Sequence, residues 1–257
     1  MRRKFLIFGF LTLLIGTGTV CIRSQYVPPV LMYHSIDERA QETKLSVTPE
    51  SFDLQLARLQ DWNASVLSLE ELVRGLKGEQ DLPANARVLT FDDGFENFYS
   101  EAYPVLRKYG VPAAVFVVTE WVGRDGFLSW DQLRELAADP LVTVGSHSFS
   151  HAWLPSQDDE ALRNELEESK RVMEEQLGVP VEFLCYPAGA FDARVREAAI
   201  AAGYKGAVAT NPGPHYPDQD PYAIKRVRIS RTSDNPAAFW LESSGYYTWI
   251  KEVRDEE

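Results

Sequence analysis

Residues 88–118 read VLTFDDGFENFYSEAYPVLRKYGVPAAVFVV. Val88 to Phe91 is a short apolar run of strand length, and Ala113 to Val118 is another. Between them, Phe95 to Tyr109 carries helical spacing and stops at Gly110, a residue that ends helices by adopting a left-handed conformation. A strand, a helix and a second strand in close succession form a right-handed crossover between parallel neighbours.

The same alternation extends to both sides. Thr48-Pro49 reads as an N-cap followed by proline at the first helical position, with Phe52, Leu56 and Leu59 on one face. Ser68 to Glu71 is a capping box opening a second helix. Leu141 to Val144 is a strand, and Asp158 to Leu177 is an amphipathic helix with Leu162, Leu166, Met173 and Leu177 on its stripe. Phe183 to Cys185, Gly206 to Ala209 and Val227 to Ile229 complete the strands, with an Asp192-capped helix before Gly203. Repeated strand–helix units predict an α/β fold whose parallel sheet is covered by helices, open or closed into a barrel. The length, 257 residues, suits one such domain.

The composition narrows the function. Lys and Arg number 26 against 38 Asp and Glu, a formal net charge of −12, so nucleic acid is not an expected partner. Residues 1–26 stand apart. Arg2, Arg3 and Lys4 precede an apolar run from Phe5 to Ile22, the pattern of an export signal or an N-terminal membrane anchor. Residues 27–257 are then a single domain outside the cytoplasm, in the periplasm or at the cell surface. Of the two cysteines, Cys21 lies in that leading segment, which leaves Cys185 without a disulfide partner and reads it as a small buried residue.

Three clusters carry chemistry, each just after a predicted strand, on the edge where α/β folds place their sites. In Thr90-Phe91-Asp92-Asp93-Gly94, two adjacent carboxylates repel unless a cation or proton is shared. One can bind metal while the other handles protons; the plainer reading is a helix N-terminus. His147 and His151 are two of only four histidines. Four residues apart, they fall on one side of a helical turn and can reach a single ion. Tyr186-Pro187-Ala188-Gly189 is a turn whose backbone N–H groups can stabilise an oxyanion. Near the start, Val30 to Ser35 is an apolar strand ending in Tyr33-His34, where His34 can act as a general acid.

Taken together, these motifs resemble the polysaccharide deacetylase family, the group with the NodB-homology domain, over Val30 to Ser230. The resemblance implies a distorted barrel with fewer than eight strands. It implies Asp92 as general base, with Asp93, His147 and His151 holding a divalent metal, zinc by preference and nickel, cobalt, iron or manganese as alternatives. Met32-Tyr33-His34 is similar to the N-terminal motif of the branch acting on poly-N-acetylglucosamine, which makes His34 the acid. Tyr186 and Ala188 then fall on oxyanion and substrate binding, although Ala188 stands where that branch usually has an aromatic residue. Arg226 resembles an Arg that orients the base through a charge-assisted hydrogen bond. Trp130 opens a helix and reads as a core residue, with the sugar cleft as its other place. The last histidine, His215, reads as a loop residue. The expected reaction is removal of N-acetyl groups from an extracytoplasmic poly-β-1,6-N-acetylglucosamine-like polysaccharide. Peptidoglycan or chitin oligomers are the alternative substrates, and an inert carbohydrate-binding domain is the alternative of another class.

Overall fold

The computed structural model describes residues 27–38, 45–210 and 220–247. The leading segment 1–26, with Cys21, and His215 lie outside them. Among the described residues, no helix is long and apolar enough to cross a membrane.

The strands are β1 (Val30–Tyr33), β2 (Ser35–Ile36), β3 (Ser46–Val47), β4 (Ser65–Leu67), β5 (Ala86–Phe91), β6 (Ala113–Val117), β7 (Val142–Ser146), β8 (Phe183–Cys185), β9 (Gly206–Val208) and β10 (Arg226–Arg228). The helices are α1 (Pro49–Asp61), α2 (Leu69–Leu76), α3 (Tyr103–Tyr109), α4 (Trp130–Ala138), α5 (Asp159–Arg163), α6 (Ser169–Leu177), α7 (Ala193–Ala201) and α8 (Pro236–Glu242). Seven strands form a continuous parallel order β10-β1-β5-β6-β7-β8-β9, with β4 pairing the early half of β5. A single parallel bridge, Val208 to Ile224, links the two ends and nearly closes the sheet into a barrel. The small β2–β3 pair is separate.

Period-two alternation divides the core in two. Val30, Val88, Ala114, Phe116, Phe183, Cys185, Val208 and Ile224 pack together inside the barrel, with Leu69, Leu72 and Val73 of α2. Leu31, Tyr33, Leu89, Phe91, Val115, Leu184 and Ala207 point the other way, onto Phe52 and Leu56 of α1, Leu106 of α3, Leu133 of α4 and Met173 of α6. Gly145 is one of the places where this interior requires glycine, because a Cβ there would lie 2.6 Å from the Phe116 ring.

The caps at Thr48, Ser68 and Asp192 form as the sequence predicts. Two helices differ. The predicted Phe95–Tyr109 helix instead begins with a π turn (Phe98–Ala102) before α3, and Pro104, in the first turn of α3, has no N–H for a regular bond across the junction. The Asp158–Leu177 helix likewise carries a π turn at Asn164–Glu168, while Leu162, Leu166 and Met173 are buried as expected. β4 and α8 have no counterpart in the sequence reading; β4 is only three residues long, and α8 has only Phe239 buried. Trp130 is half-buried against the outer core.

Candidate active site

Followed to their C-terminal ends, the interior columns of the strands change from apolar to polar. Val30 and Met32 lead to His34, and Val88 and Thr90 lead to Asp92. Gly145 leads to His147, and Val208 to Thr210. The alternation that buries the barrel core thus delivers these side chains to one mouth. There Met32, His34, Leu45, Asp92, Asp93, His147, His151, Ala188, Gly189 and Thr210 line a cavity of about 190 Å³.

The adjacent carboxylates diverge. Asp92 turns inward and is 4 % exposed. It accepts hydrogen bonds from both Arg226 terminal nitrogens, at 2.6 and 2.7 Å, a bidentate pair. Arg226 also donates to Ala209 O, Thr90 Oγ1 and the Cys185 sulfur, so its plane is fixed on every side. Burial alone would raise the Asp92 pKa, but the Arg226 charge and hydrogen bonds outweigh it and hold the carboxyl well below the usual carboxylate range. Asp93 turns to the histidines. Its φ of 72° places a non-glycine residue in the left-handed region, directly before Gly94, which has the same φ. Its Oδ1 lies 3.5 Å from His147 Nε2 and 3.8 Å from His151 Nε2.

His147 is buried, and its Nδ1 lies 2.8 Å from the Cys185 carbonyl oxygen. A carbonyl can only accept, so Nδ1 carries a proton, and Nε2 is the nitrogen that faces Asp93. The two imidazoles meet edge to face, with centroids 4.8 Å apart. They are not on a helical turn, contrary to the reading of their spacing. Ser148 and His151 have φ of 64° and 65°, so a left-handed loop brings the rings together. Burial, reinforced by the His147 charge, lowers the His151 pKa. One donor atom from each of Asp93, His147 and His151 lies within 4.8 Å of the others, a set that fits one cation.

His34 stands across the mouth, its Nε2 4.0 Å from Asp92 Oδ2. Burial is the main cause that lowers its pKa, and its Nδ1 is buried without a hydrogen-bond partner among the described residues. Ala188 is exposed on the cavity wall in a left-handed conformation, φ 53°. Gly189 follows at φ 70°, and a Cβ there would meet Thr210 Oγ1 at 2.4 Å. Tyr186 does not reach the cavity. It is fully buried, donates to Tyr222 O and stacks on Phe191, so it shapes the turn from behind. Cys185 is buried beneath the site, and burial pushes its thiol pKa up.

Three features are absent from the sequence reading: Trp121 stacks on His151, Glu165 accepts from the His151 loop, and Thr210 lines the cavity. Each reaches the site from a distant turn or a strand end, and no local motif marks it.

A family model described as polysaccharide deacetylase matches residues 79–207. The Bacillus subtilis (strain 168) protein YxkH, which carries a name from the same family, is 31% identical over 202 residues, covering 79% of this chain and 71% of its own. The poly-beta-1,6-N-acetyl-D-glucosamine N-deacetylase of Escherichia coli (strain K12) is 28% identical over 169 residues, 51% of this chain, and the match spans only 25% of that protein's length. Among solved structures, Streptococcus pyogenes deacetylase PplD in complex with acetate superposes with a TM-score of 0.76 at 28% identity, covering 84% of this chain and 98% of its own.

Proposed function

The chain belongs to the polysaccharide deacetylase family and is a polysaccharide N-deacetylase; from that premise we propose that it uses a divalent metal ion to release acetate from the amino sugars of an extracytoplasmic polysaccharide, one like poly-β-1,6-N-acetylglucosamine. The observation that carries this reading is the divergence of neighbouring carboxylates, Asp92 onto Arg226 and Asp93 onto His147 and His151.

Asp93, His147 and His151 hold the ion. An oxygen and two imidazole nitrogens suit zinc, and they also accept nickel, cobalt, iron or manganese. Such an ion supplies Lewis-acid polarisation of the acetamide carbonyl and makes water at the site more acidic.

Asp92 is the base: ionised and held by Arg226, it takes a proton from the attacking water. A carboxylate with so low a pKa keeps that proton poorly, and His34 is the next acceptor, 4.0 Å away. Burial leaves His34 neutral in the resting site, so the proton it gives to the leaving amine is one it gains during turnover. The water oxygen bonds to the acetyl carbon, the C–N bond breaks, and acetate and a free amine leave. To the Ala188 N–H, on the exposed left-handed turn, we assign donation to the developing oxyanion.

The substrate class rests on the name of the E. coli relative and on His34 following the first strand of the barrel. Export rests on the basic and apolar character of residues 1–26, which we assign as signal or anchor to a deacetylase domain of residues 27–257.

The test is acetate release by metal-stripped protein on acetylated β-1,6- and β-1,4-linked glucosamine oligomers, with and without zinc, cobalt or nickel. Metal-restored release that favours the β-1,6 series is expected, and Asp92→Asn should keep the metal and lose turnover. Release unaffected by metal removal would overturn the metal assignment; preference for β-1,4 oligomers would move the substrate to peptidoglycan or chitin-like chains. Sugar binding with no release would favour an inert binding domain.

A further inference from the structure

The two imidazoles at the mouth are held in different ways. The His147 ring is buried and fixed by the hydrogen bond from Nδ1 to Cys185 O, at 2.8 Å. The His151 side chain is 29% exposed, and no hydrogen bond ties its ring to another described residue. The Trp121 indole occupies that role, stacked on the imidazole with centroids 5.3 Å apart and planes 28° from parallel.

Trp121 is itself braced. It packs on Phe127 at 5.1 Å, and Phe127 stacks on Phe95 at 5.3 Å. The backbone ties this row to both loops that carry the three side chains. Thr119 N donates to Ser148 O and Glu120 N to Phe149 O, at 3.3 and 2.9 Å, just before His151. On the other side Leu128 N donates to Gly94 O at 2.9 Å, next to Asp93. Trp121 is not among the residues lining the cavity, and it meets the imidazole from outside it.

We infer that Trp121 is a positioning residue for metal binding, its indole fixing the His151 ring plane where His147 has a hydrogen bond. This rests on the assignment of Asp93, His147 and His151 as the ligands. Groups that orient ligating imidazoles typically change metal affinity about 10–100-fold when removed, and an aromatic stack restrains ring rotation without a polar partner.

The experiment is Co2+ binding to the full chain, by competition with a chromophoric chelator, read with the visible absorption of the bound ion. Trp121→Leu is expected to weaken binding about tenfold and to move the spectrum toward that of His151→Ala. Trp121→Phe, which keeps a stacking ring, should retain most of the affinity and the native spectrum. Phe127→Leu removes only the brace, should give a smaller loss in the same direction, and carries the test if Trp121→Leu does not fold. Unchanged affinity and spectrum in folded Trp121→Leu, or in Phe127→Leu if that must stand in for it, would overturn the inference while leaving the ligand set intact. Binding by the unsubstituted chain no tighter than by His151→Ala would instead sink the ligand set, and the inference with it.

Discussion

At the scale of single residues, the site depends on giving chemically identical neighbours different surroundings. Asp92 and Asp93 are separated by one peptide bond, yet the left-handed φ of 72° at Asp93 sends their side chains to different partners. Asp92 enters the barrel and meets Arg226, which is 3% exposed. Breaking a buried pair of this kind strands the remaining charge, at a cost of about 3–5 kcal/mol. Arg226→Met is therefore expected to destabilise the protein by that order at neutral pH. The pH dependence has a definite sign. The native Asp92 pKa lies below its unfolded value of about 3.9, so the stabilisation is fully present above that value and is lost as pH falls toward the native pKa. Thermal melts from neutral pH downward should show the gap between the unsubstituted protein and Arg226→Met narrowing in acid. A gap that stayed constant would mean that Arg226 stabilises through packing alone. The Asp92–Arg226 contact was legible only through the family resemblance, which pairs an Arg opening a late strand with the base. Trp121 was not, because its partner His151 is met through a loop pairing that leaves no spacing signal.

At the scale of elements, caps and strands were legible where local chemistry decides them. Ser68 forms the reciprocal capping box read from its sequence, and the central strands read as apolar runs because both their faces are buried. The loop after β7 shows where such reading ends. A four-residue histidine spacing fits a helical turn, but Ser148 Oγ accepts from His151 N at 3.0 Å and closes a left-handed loop instead. The loop is clamped from outside by Glu165, whose carboxylate accepts from Phe149 N, Ser150 N and Ser150 Oγ at 3.0, 2.9 and 2.5 Å. Glu165 lies in the π turn between α5 and α6, an irregularity that periodicity averages away and that often marks functional sites. Glu165→Ala leaves these donors without their carboxylate. We expect a loss of about 1–3 kcal/mol in stability and about tenfold weaker metal binding, measured by melts and chelator competition. A stability loss with unchanged metal affinity would show that the backbone contacts, Thr119 N to Ser148 O, Glu120 N to Phe149 O and Phe149 N to Glu165 O, suffice to hold the His151 loop.

At the scale of the whole molecule, chain order matters through closure. The first strand of the barrel lies between the last, β10, and β5, so His34, Asp92 and Arg226 come from three adjacent strands although they are distant in sequence. Parallel alternation could not distinguish an open sheet from a barrel, because the difference rests on a few contacts: the Val208–Ile224 bridge, Ala209 N to Ile224 O at 2.9 Å, and Arg226 N to Thr210 O at 2.7 Å. The last of these joins closure to chemistry, since it sets the base of the side chain that pins Asp92. The fold's first described tie, Val27 N to Gly245 O at 3.0 Å, joins the start of the domain to the segment after α8. Residues 1–26 carry the basic and apolar pattern of an export signal or anchor, and every residue assigned to the metal, the base, the acid or the oxyanion follows them in the sequence. A chain beginning at Val27 is therefore expected to melt at the same temperature as the full chain and to release acetate at the same rate from soluble oligomers, which places the contribution of residues 1–26 in location rather than catalysis. Equal melting with a large fall in turnover on those oligomers would instead make the leading segment part of the catalytic apparatus.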